Sequence, residues 1–344
     1  MYDILIVGAG ITAATLVASL KERFKLCVVD IRNHIGGNCF DYADNGSFIH
    51  AYGPHIFHSP SAKIVSFLSR YTEWQPYHYS VTAEVEYQKK IFRVPFPYCH
   101  ASAMALGNPL ADEDVLQCFF RDYSFKMWGI NWDLLPGRIK HRVPKDTMKL
   151  PQYYPGQFVG MPRRGFTHMI GNMLDGADIR LGTSPTEWMN IPAHRVIFTG
   201  RPDCIALPGE TRTIREAFDL ALDFRTLQIR LEPERWLLSS AALHCCHLHQ
   251  PWTRKVHYAT LTGGNSLLVS TEFPQTATSG DLTPYYPIPL DCNLERYRQI
   301  SALLRRMYPQ LYLAGRLGSY QYLDMFQAVG QGLALARKIG TGII

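Results

Sequence analysis

Apolar positions cluster first in Asp3-Ile4-Leu5-Ile6-Val7, a short run closed by glycine, which is the pattern of a buried strand. Ala14 to Leu20 then carries small and apolar residues as a helix does, and Leu26-Cys27-Val28-Val29 is a second buried strand ending in Asp30. Ala62 to Tyr71 reads as a helix. Tyr77 to Phe92 alternates like a hairpin, with Val81, Ala83, Val85 and Tyr87 on one face, and Val94-Pro95-Phe96-Pro97 leaves it. Asp112 to Met127 is mostly helical, with an aromatic stripe of Phe119, Phe120, Tyr123 and Phe125. Residues 166–183 give a helix and a strand (Ala177 to Leu181), and His194 to Phe198 is an apolar strand, ending at Gly200, that returns to the same sheet as the first one. Residues 213–273 read as strands. Leu294 to Met307 is an amphipathic helix that leads into Leu311-Tyr312-Leu313 and a small-residue helix from Met325. There are no internal repeats and no low-complexity linkers.

The chain has 344 residues, 47% hydrophobic and 19% charged, so it builds a sizeable core and is not disordered. A formal charge of +6, without blocks of like charge, suits an anionic ligand but not nucleic acid. No apolar run reaches the roughly 18 residues of a spanning helix, and Met1 leads straight into the first strand without a basic leader. The expectation is a cytoplasmic protein that neither enters a membrane nor binds nucleic acid. The eight cysteines lack a disulfide-framework spacing and are expected to be reduced.

Between the first strand and helix lies Gly8-Ala9-Gly10-Ile11-Thr12-Ala13. Gly8 permits the tight turn, Gly10 lets a pyrophosphate approach the backbone, and Ala13 is small enough for close helix–strand packing. The helix N-terminus offers free N–H groups to phosphates. Asp30, 20 residues beyond Gly10, stands where a ribose-binding acid belongs. Arg32, Gly36, Gly37 and Asn38 follow at once, and a basic residue and a Gly-Gly pair after the acid resemble the flavin-binding form of this fold. Gly315-Arg316 and the helix from Met325 are placed to bring a second helix N-terminus to the flavin. FAD is therefore expected at both ends of the chain.

Two clusters invite a metal reading. His50, His55 and His58 are spaced by five and three, which fits neither a helical zinc pair nor a finger, and Gly53-Pro54 breaks any helix there. The segment reads as a turn that lays His55 and His58 beside the flavin ring. In His244-Cys245-Cys246-His247-Leu248-His249, adjacent cysteines on a strand point to opposite faces, so alternating strand residues are favoured over zinc and no metal is expected.

With these motifs in place, the chain resembles the UDP-galactopyranose mutases over nearly its whole length. The resemblance rests on Arg32 to Asn38, Tyr52-Gly53-Pro54-His55-Ile56-Phe57-His58, Lys126-Met127-Trp128-Gly129 and Trp252-Thr253-Arg254. It continues in Pro284-Tyr285-Tyr286-Pro287 and in Gly315-Arg316-Leu317 through Tyr320, Tyr322 and Asp324-Met325. It implies an α/β fold. A Rossmann-like FAD-binding domain would comprise 1–60, 190–212 and 305–344. A small helical domain would be inserted at 95–150, and a mixed or antiparallel sheet substrate domain would comprise 61–94, 151–189 and 213–304. It also implies that reduced flavin N5 attacks the anomeric carbon, that the sugar ring reopens and recloses through another hydroxyl, and that no net oxidation occurs. An external reductant such as NAD(P)H or a reductase would be needed.

By the same resemblance Tyr123 and Trp128 match uridine-contacting aromatics. Tyr286, Tyr322 and Asp324 match residues around the diphosphate and sugar, with Tyr285 beside them. Arg316 matches the flavin-contacting arginine, with Asp324 and Met325 also at the cofactor. His55 and His58 match the histidine segment at the ring, and Arg254 matches a pocket arginine. The chain also departs from the family. Where a mobile-loop arginine should follow Arg142-Val143-Pro144 it has Asp146. Thr276 to Asp281 lacks the second phosphate arginine, and Phe158 replaces a tyrosine. Arg163 and Arg164, or Lys145 and Lys149, are the candidates to compensate. The expected substrate is a sugar other than UDP-galactopyranose, as another nucleotide sugar or as a glycoside such as a glycosylated natural product. An amine-oxidase-like flavin oxidoreductase and a non-catalytic flavoprotein are the alternatives.

Overall fold

A computed structural model describes residues 1–140, 153–277 and 283–343. Strand β1 (Tyr2–Val7), helix α1 (Ile11–Leu20) and strand β2 (Leu26–Asp30) form the first right-handed unit. Ile4, Leu5, Ile6, Ala13, Leu16, Val17 and Val28 are wholly buried, which is what a continuous apolar run gives when both sheet faces are covered. The sheet has five parallel strands in the order Asp178–Leu181, β2, β1, Ala193–Phe198, Leu311–Leu313. The strand at 193–198 joins this sheet as its pattern predicts. Asp178–Leu181 does too, although the sequence reading grouped it with the substrate lobe. It pairs with β2 through Cys27 to Asp30 and is exposed along its length, as suits an edge.

The second sheet has seven strands, ordered Tyr286–Pro287, Phe224–Pro233, Leu268–Ala277, Arg254–His257, Ala242–Cys245, Val81–Tyr87, Lys90–Phe96. All its pairings are antiparallel except the one joining Ala242–Cys245 to Val81–Tyr87. The hairpin turns at Gln88 and Lys89, both with positive φ, as a two-residue turn requires. Its second strand therefore includes Val94, Pro95 and Phe96, which the sequence reading took for an exit segment. Pro95 is tolerated because this is the edge strand. The run 244–249 also differs from expectation: it leaves the sheet after Cys245, and His247 to His249 form a turn.

Between Phe96 and Leu135 lie short helices at His100–Leu106, Asp112–Leu116 and Asp122–Trp128. The expected single helix over 112–127 is interrupted by a wide π turn at Gln117–Arg121. The wider turn lets three successive residues, Cys118, Phe119 and Phe120, all face the core, which a uniform 3.6-residue spacing does not. The C-terminal helix Met325–Gly340 packs against α1, bringing the two ends of the chain together. Among the described residues no helix is long and apolar enough to cross a membrane.

Candidate active site

The dinucleotide cradle is built at the tip of β1. Gly8 has φ +107°, and a Cβ there would lie 2.1 Å from Thr199 Oγ1, so only glycine fits the turn. Ala9 N–H donates to Asp30 Oδ2 at 2.7 Å and Arg32 N–H to Asp30 Oδ1 at 2.9 Å. The acid thus fixes both loops and retains lone pairs for a hydroxyl. Gly10 and Gly36 form a backbone bridge, and a Cβ on Gly37 (φ +57°) would sit 3.0 Å from Gly10 Cα. Gly10 gives α1 no side-chain cap, so its first N–H groups are left for an anion. Ala13 is wholly buried in the first turn. Arg32 donates to Asn38 Oδ1 at 2.9 Å and lies over the Tyr52 ring at 4.2 Å. These residues fit the diphosphate of a bound dinucleotide.

The far end of the chain adds a second group. Arg316 donates to the Leu323 carbonyl from Nε (2.9 Å) and Nη2 (2.6 Å), and its Nη1 reaches the Tyr285 carbonyl at 3.4 Å. One guanidinium therefore ties the Tyr285-Tyr286 corner to the Tyr322-Leu323-Asp324 turn. Its plane also lies over Tyr286 and Tyr322, at 5.3 and 5.7 Å. Tyr286 and Tyr322 meet edge to face at 5.2 Å, and Trp128 meets Tyr322 at 5.5 Å and Tyr286 at 6.2 Å. Four residues expected at the site from three separate motifs thus converge. Tyr285 is buried behind them, 6.4 Å from Tyr52. Asp324 caps the C-terminal helix in a capping box with Gln327, so the helix N-terminus expected to be open carries its own carboxylate. Met325 is the first helical residue and is half-buried.

His58 stacks on Tyr154 at 3.8 Å and shares a hydrogen bond with Gln157 Oε1 at 2.9 Å. His55 Nδ1 donates to the Gly53 carbonyl at 2.7 Å, and its backbone N–H donates to His50 Nδ1 at 2.8 Å. Burial, aided by His50, Arg316 and Arg254, holds the His55 imidazole down at about 3, so it is neutral near pH 7. Arg254 forms a bidentate pair with buried Glu272 (2.8 and 3.0 Å), and this counter-ion holds the guanidinium charged despite its burial.

Three expected substrate contacts lie elsewhere. Phe158 opens the strand Phe158–Pro162 and packs among Phe57 and Trp74, because the pairing of its strand with Phe57–Ser59 and Trp74–Pro76 turns the ring into that layer. Arg163 and Arg164 are exposed on the turn after that strand, and Arg163 pairs with Glu73 at 3.4 Å. The departures at 142–149 and at 278–281 fall outside the described residues.

Sequence reasoning missed the partners that fill the pocket. His244 stacks on Tyr123 at 5.3 Å, and Tyr153 meets His244 edge-on at 6.4 Å. Arg225 donates to the Met127 and Lys126 carbonyls, at 2.8 and 2.9 Å, and so closes the end of the helix that bears Trp128. Burial pushes the Tyr286 hydroxyl up to about 12 and raises those of Tyr123, Tyr153 and Tyr154, while His244 falls to about 3. These hydroxyls and imidazoles are therefore neutral near pH 7, beside the charged Arg316 and the Arg254–Glu272 pair.

Comparison with known proteins agrees with this geometry. The family model for UDP-galactopyranose mutase matches residues 118–322, and one for an NAD(P)-binding Rossmann-like domain matches residues 6–71. The UDP-galactopyranose mutase of Mycoplasma pneumoniae is 27% identical, covering 98% of this chain and 96% of that protein. The dTDP-fucopyranose mutase of Escherichia coli is 24% identical, covering 98% of each. The fold is that of a crystallised reduced UDP-galactopyranose mutase (TM-score 0.71, 13% identity, 100% of this chain and 96% of that one). A weaker fold likeness, TM-score 0.58 at 13% identity, covers 97% of this chain and 100% of an oxidoreductase from Methanosarcina mazei. The chain therefore belongs to the UDP-galactopyranose mutase family and is an isomerase of that flavin-dependent, pyranose–furanose type.

Proposed function

We propose that this enzyme interconverts the pyranose and furanose forms of a sugar other than standard UDP-galactopyranose, using FAD in its reduced form and with no net oxidation. The observation that carries the reading is the corner of Trp128, Tyr286 and Tyr322 tied together by Arg316. The Gly8–Gly10 turn, Asp30 and Arg32 would hold the flavin, which when bound and reduced would supply a nucleophilic nitrogen for covalent catalysis at the anomeric carbon. The protein's part is to position and to exclude water. Tyr286 and Tyr322 offer hydroxyl donors to the departing group, Trp128 closes one side, and His55 and His58 lie along the cofactor. A pocket of neutral tyrosines and histidines suits a reaction that asks for little acid–base work from side chains.

The substrate reading rests on two features. One face of Tyr123, the residue matched to a uridine-contacting aromatic, is taken by His244, which leaves less aromatic surface for a uracil. The Arg163 guanidinium, a candidate to replace the lost phosphate arginines, is exposed and lies beside Glu73. A relative named for dTDP-fucopyranose supports a change of base and sugar within the family. An external donor, NAD(P)H or a reductase, would supply the electrons that keep the flavin reduced.

The test is to incubate the anaerobic, reduced enzyme with UDP-, dTDP- and GDP-sugars and with free glycosides, and to follow ring form by NMR. The reading expects one non-UDP compound to be converted faster than UDP-galactopyranose. UDP-galactopyranose as the best substrate would refute the substrate assignment. Oxidation of a compound coupled to an acceptor, with no ring isomerisation, would refute the mutase assignment.

A further inference from the structure

The turn that follows Ala242–Cys245 folds His247 back over the sheet. His247 Nε2 lies 3.1 Å from Glu84 Oε1 and 3.6 Å from Cys245 Sγ. Cys245, His247 and Glu84 are all buried, and one donor atom from each lies within 4.8 Å of the other two. Glu84 comes from the neighbouring strand Val81–Tyr87, directly opposite Cys245 in the register. We propose that Cys245, His247 and Glu84 bind a divalent zinc-class metal ion that clips the 245–252 turn to the second sheet.

The geometry favours a cation over a simple hydrogen-bonded cluster. The same imidazole nitrogen faces both the thiol and the carboxylate, and the thiol's other contact is a long 3.6 Å approach to the His247 carbonyl. A Cys–His–Glu nucleophile relay would use opposite ring nitrogens, and here His247 Nδ1 lies 3.9 Å from the same sulfur. Zinc bonds of about 2.3 Å to sulfur and about 2.0 Å to nitrogen or oxygen place tetrahedral donors roughly 3.3–3.6 Å apart, close to the two separations from His247 Nε2, while the sulfur and the carboxylate oxygen lie within 4.8 Å of each other. Thiolate, imidazole and carboxylate together suit zinc rather than calcium or magnesium. Arg93 Nε donates to the other Glu84 oxygen at 2.9 Å, the kind of outer contact that orients a ligating carboxylate. His249, ring to ring 5.1 Å from His247, pairs with Glu86 and stands outside the trio, which leaves the fourth position to water.

The sequence alone pointed away from this site because adjacent cysteines diverge. They do diverge: Cys246 is not part of the trio, and the third ligand comes from another strand. The clip is structural and does not depend on the sugar chemistry. The turn it would fix carries carbonyls of Cys245, Gln250 and Trp252, all of which accept from Lys126 Nζ at 2.8 to 3.2 Å. Lys126 lies in the helix that bears Tyr123 and Trp128.

The test uses full-length protein with Cys292→Ser, which removes the exposed thiol. After chelator treatment, Co²⁺ is titrated in and then displaced by Zn²⁺, with flavin content as the check on folding. The expected result is about one tetrahedral Co²⁺ per chain with a thiolate charge-transfer band, quenched by Zn²⁺. Cys245→Ser should abolish the band, and His247→Gln or Glu84→Gln should weaken Co²⁺ binding about tenfold or more. Absence of tight binding in the parent, binding without the thiolate band, or a band that survives Cys245→Ser would each overturn the proposal. The parent titration decides even if a variant fails to fold.

Discussion

The imidazole of His244 stacks on the ring of Tyr123, with centroids 5.3 Å apart and planes 20° from parallel. One face of the Tyr123 ring is therefore covered from within the protein. His244 is 4% exposed, and its Nε2 has no hydrogen-bond partner among the described residues.

Removing the imidazole should open that face. A base stacked on an aromatic side chain contributes about 1–3 kcal/mol, so His244→Ala should tighten UDP binding by roughly 5- to 150-fold, measured by calorimetry on flavin-loaded protein. Unchanged or weaker UDP binding in a folded variant would show that the stack does not control base access.

Arg316 acts through its fork on the Leu323 carbonyl. Lysine keeps the charge but not the planar pair of donors. Arg316→Lys should therefore lose about 1.5–3 kcal/mol of charge-assisted bonding. Flavin affinity or turnover should fall roughly 10- to 100-fold, read by flavin titration and by initial rates. Wild-type values for both would mean that the charge alone suffices.

Arg254 and Glu272 stand or fall together. Glu272→Gln leaves a buried guanidinium without its counter-ion and should destabilise the fold by about 3–5 kcal/mol. The double change Arg254→Met with Glu272→Met should cost less than Glu272→Gln alone. Thermal unfolding of the three proteins checks the order; a double variant worse than the single would contradict it.

Acid should unfold this protein early. Burial holds His50 and His244 down at about 3, against about 6.5 in the unfolded chain. Between those values the unfolded state binds more protons, so stability falls as pH falls, by up to about 1.4 kcal/mol per pH unit for each histidine. The contribution is fully present above pH 6.5 or so and is lost progressively toward pH 3. Denaturant midpoints at pH 7.5, 6 and 5 should decline in that order, and His244→Phe should flatten the decline. A midpoint independent of pH over this range would show that neither histidine is neutral in the fold.

Local patterns carried the first sheet. The run from Ile4 to Val7, the turn at Gly8 and Gly10, and Asp30 each sit where their spacing put them, since a short strand–turn–helix unit is specified by neighbours in sequence. The convergence of Trp128, Tyr286, Tyr322 and Arg316 was legible only through the family resemblance, because it depends on loops that meet across sheets. The packing of Phe158 against Phe57 and Trp74 was not legible for the same reason: strand pairing at 57–59 and 74–76 decides which way that segment faces, and nothing local announces it. Glu272 and Arg225 gave no signal of their own, and His244 stood out only as part of the 244–249 run, read there as alternating strand residues. Each looks like an ordinary strand residue until its partner arrives from a distant strand or helix.

The central claim is a mutase that works on reduced flavin, and the most direct measurement is conversion under strictly anaerobic conditions with and without dithionite. Oxidised and reduced enzyme are mixed with the substrate found in the panel, and pyranose and furanose are quantified while any added electron acceptor is monitored. The account predicts interconversion only in the reduced sample, continuing over many turnovers with no acceptor consumed. Equal interconversion by the oxidised enzyme, or turnover that stops when the acceptor is exhausted, would contradict it.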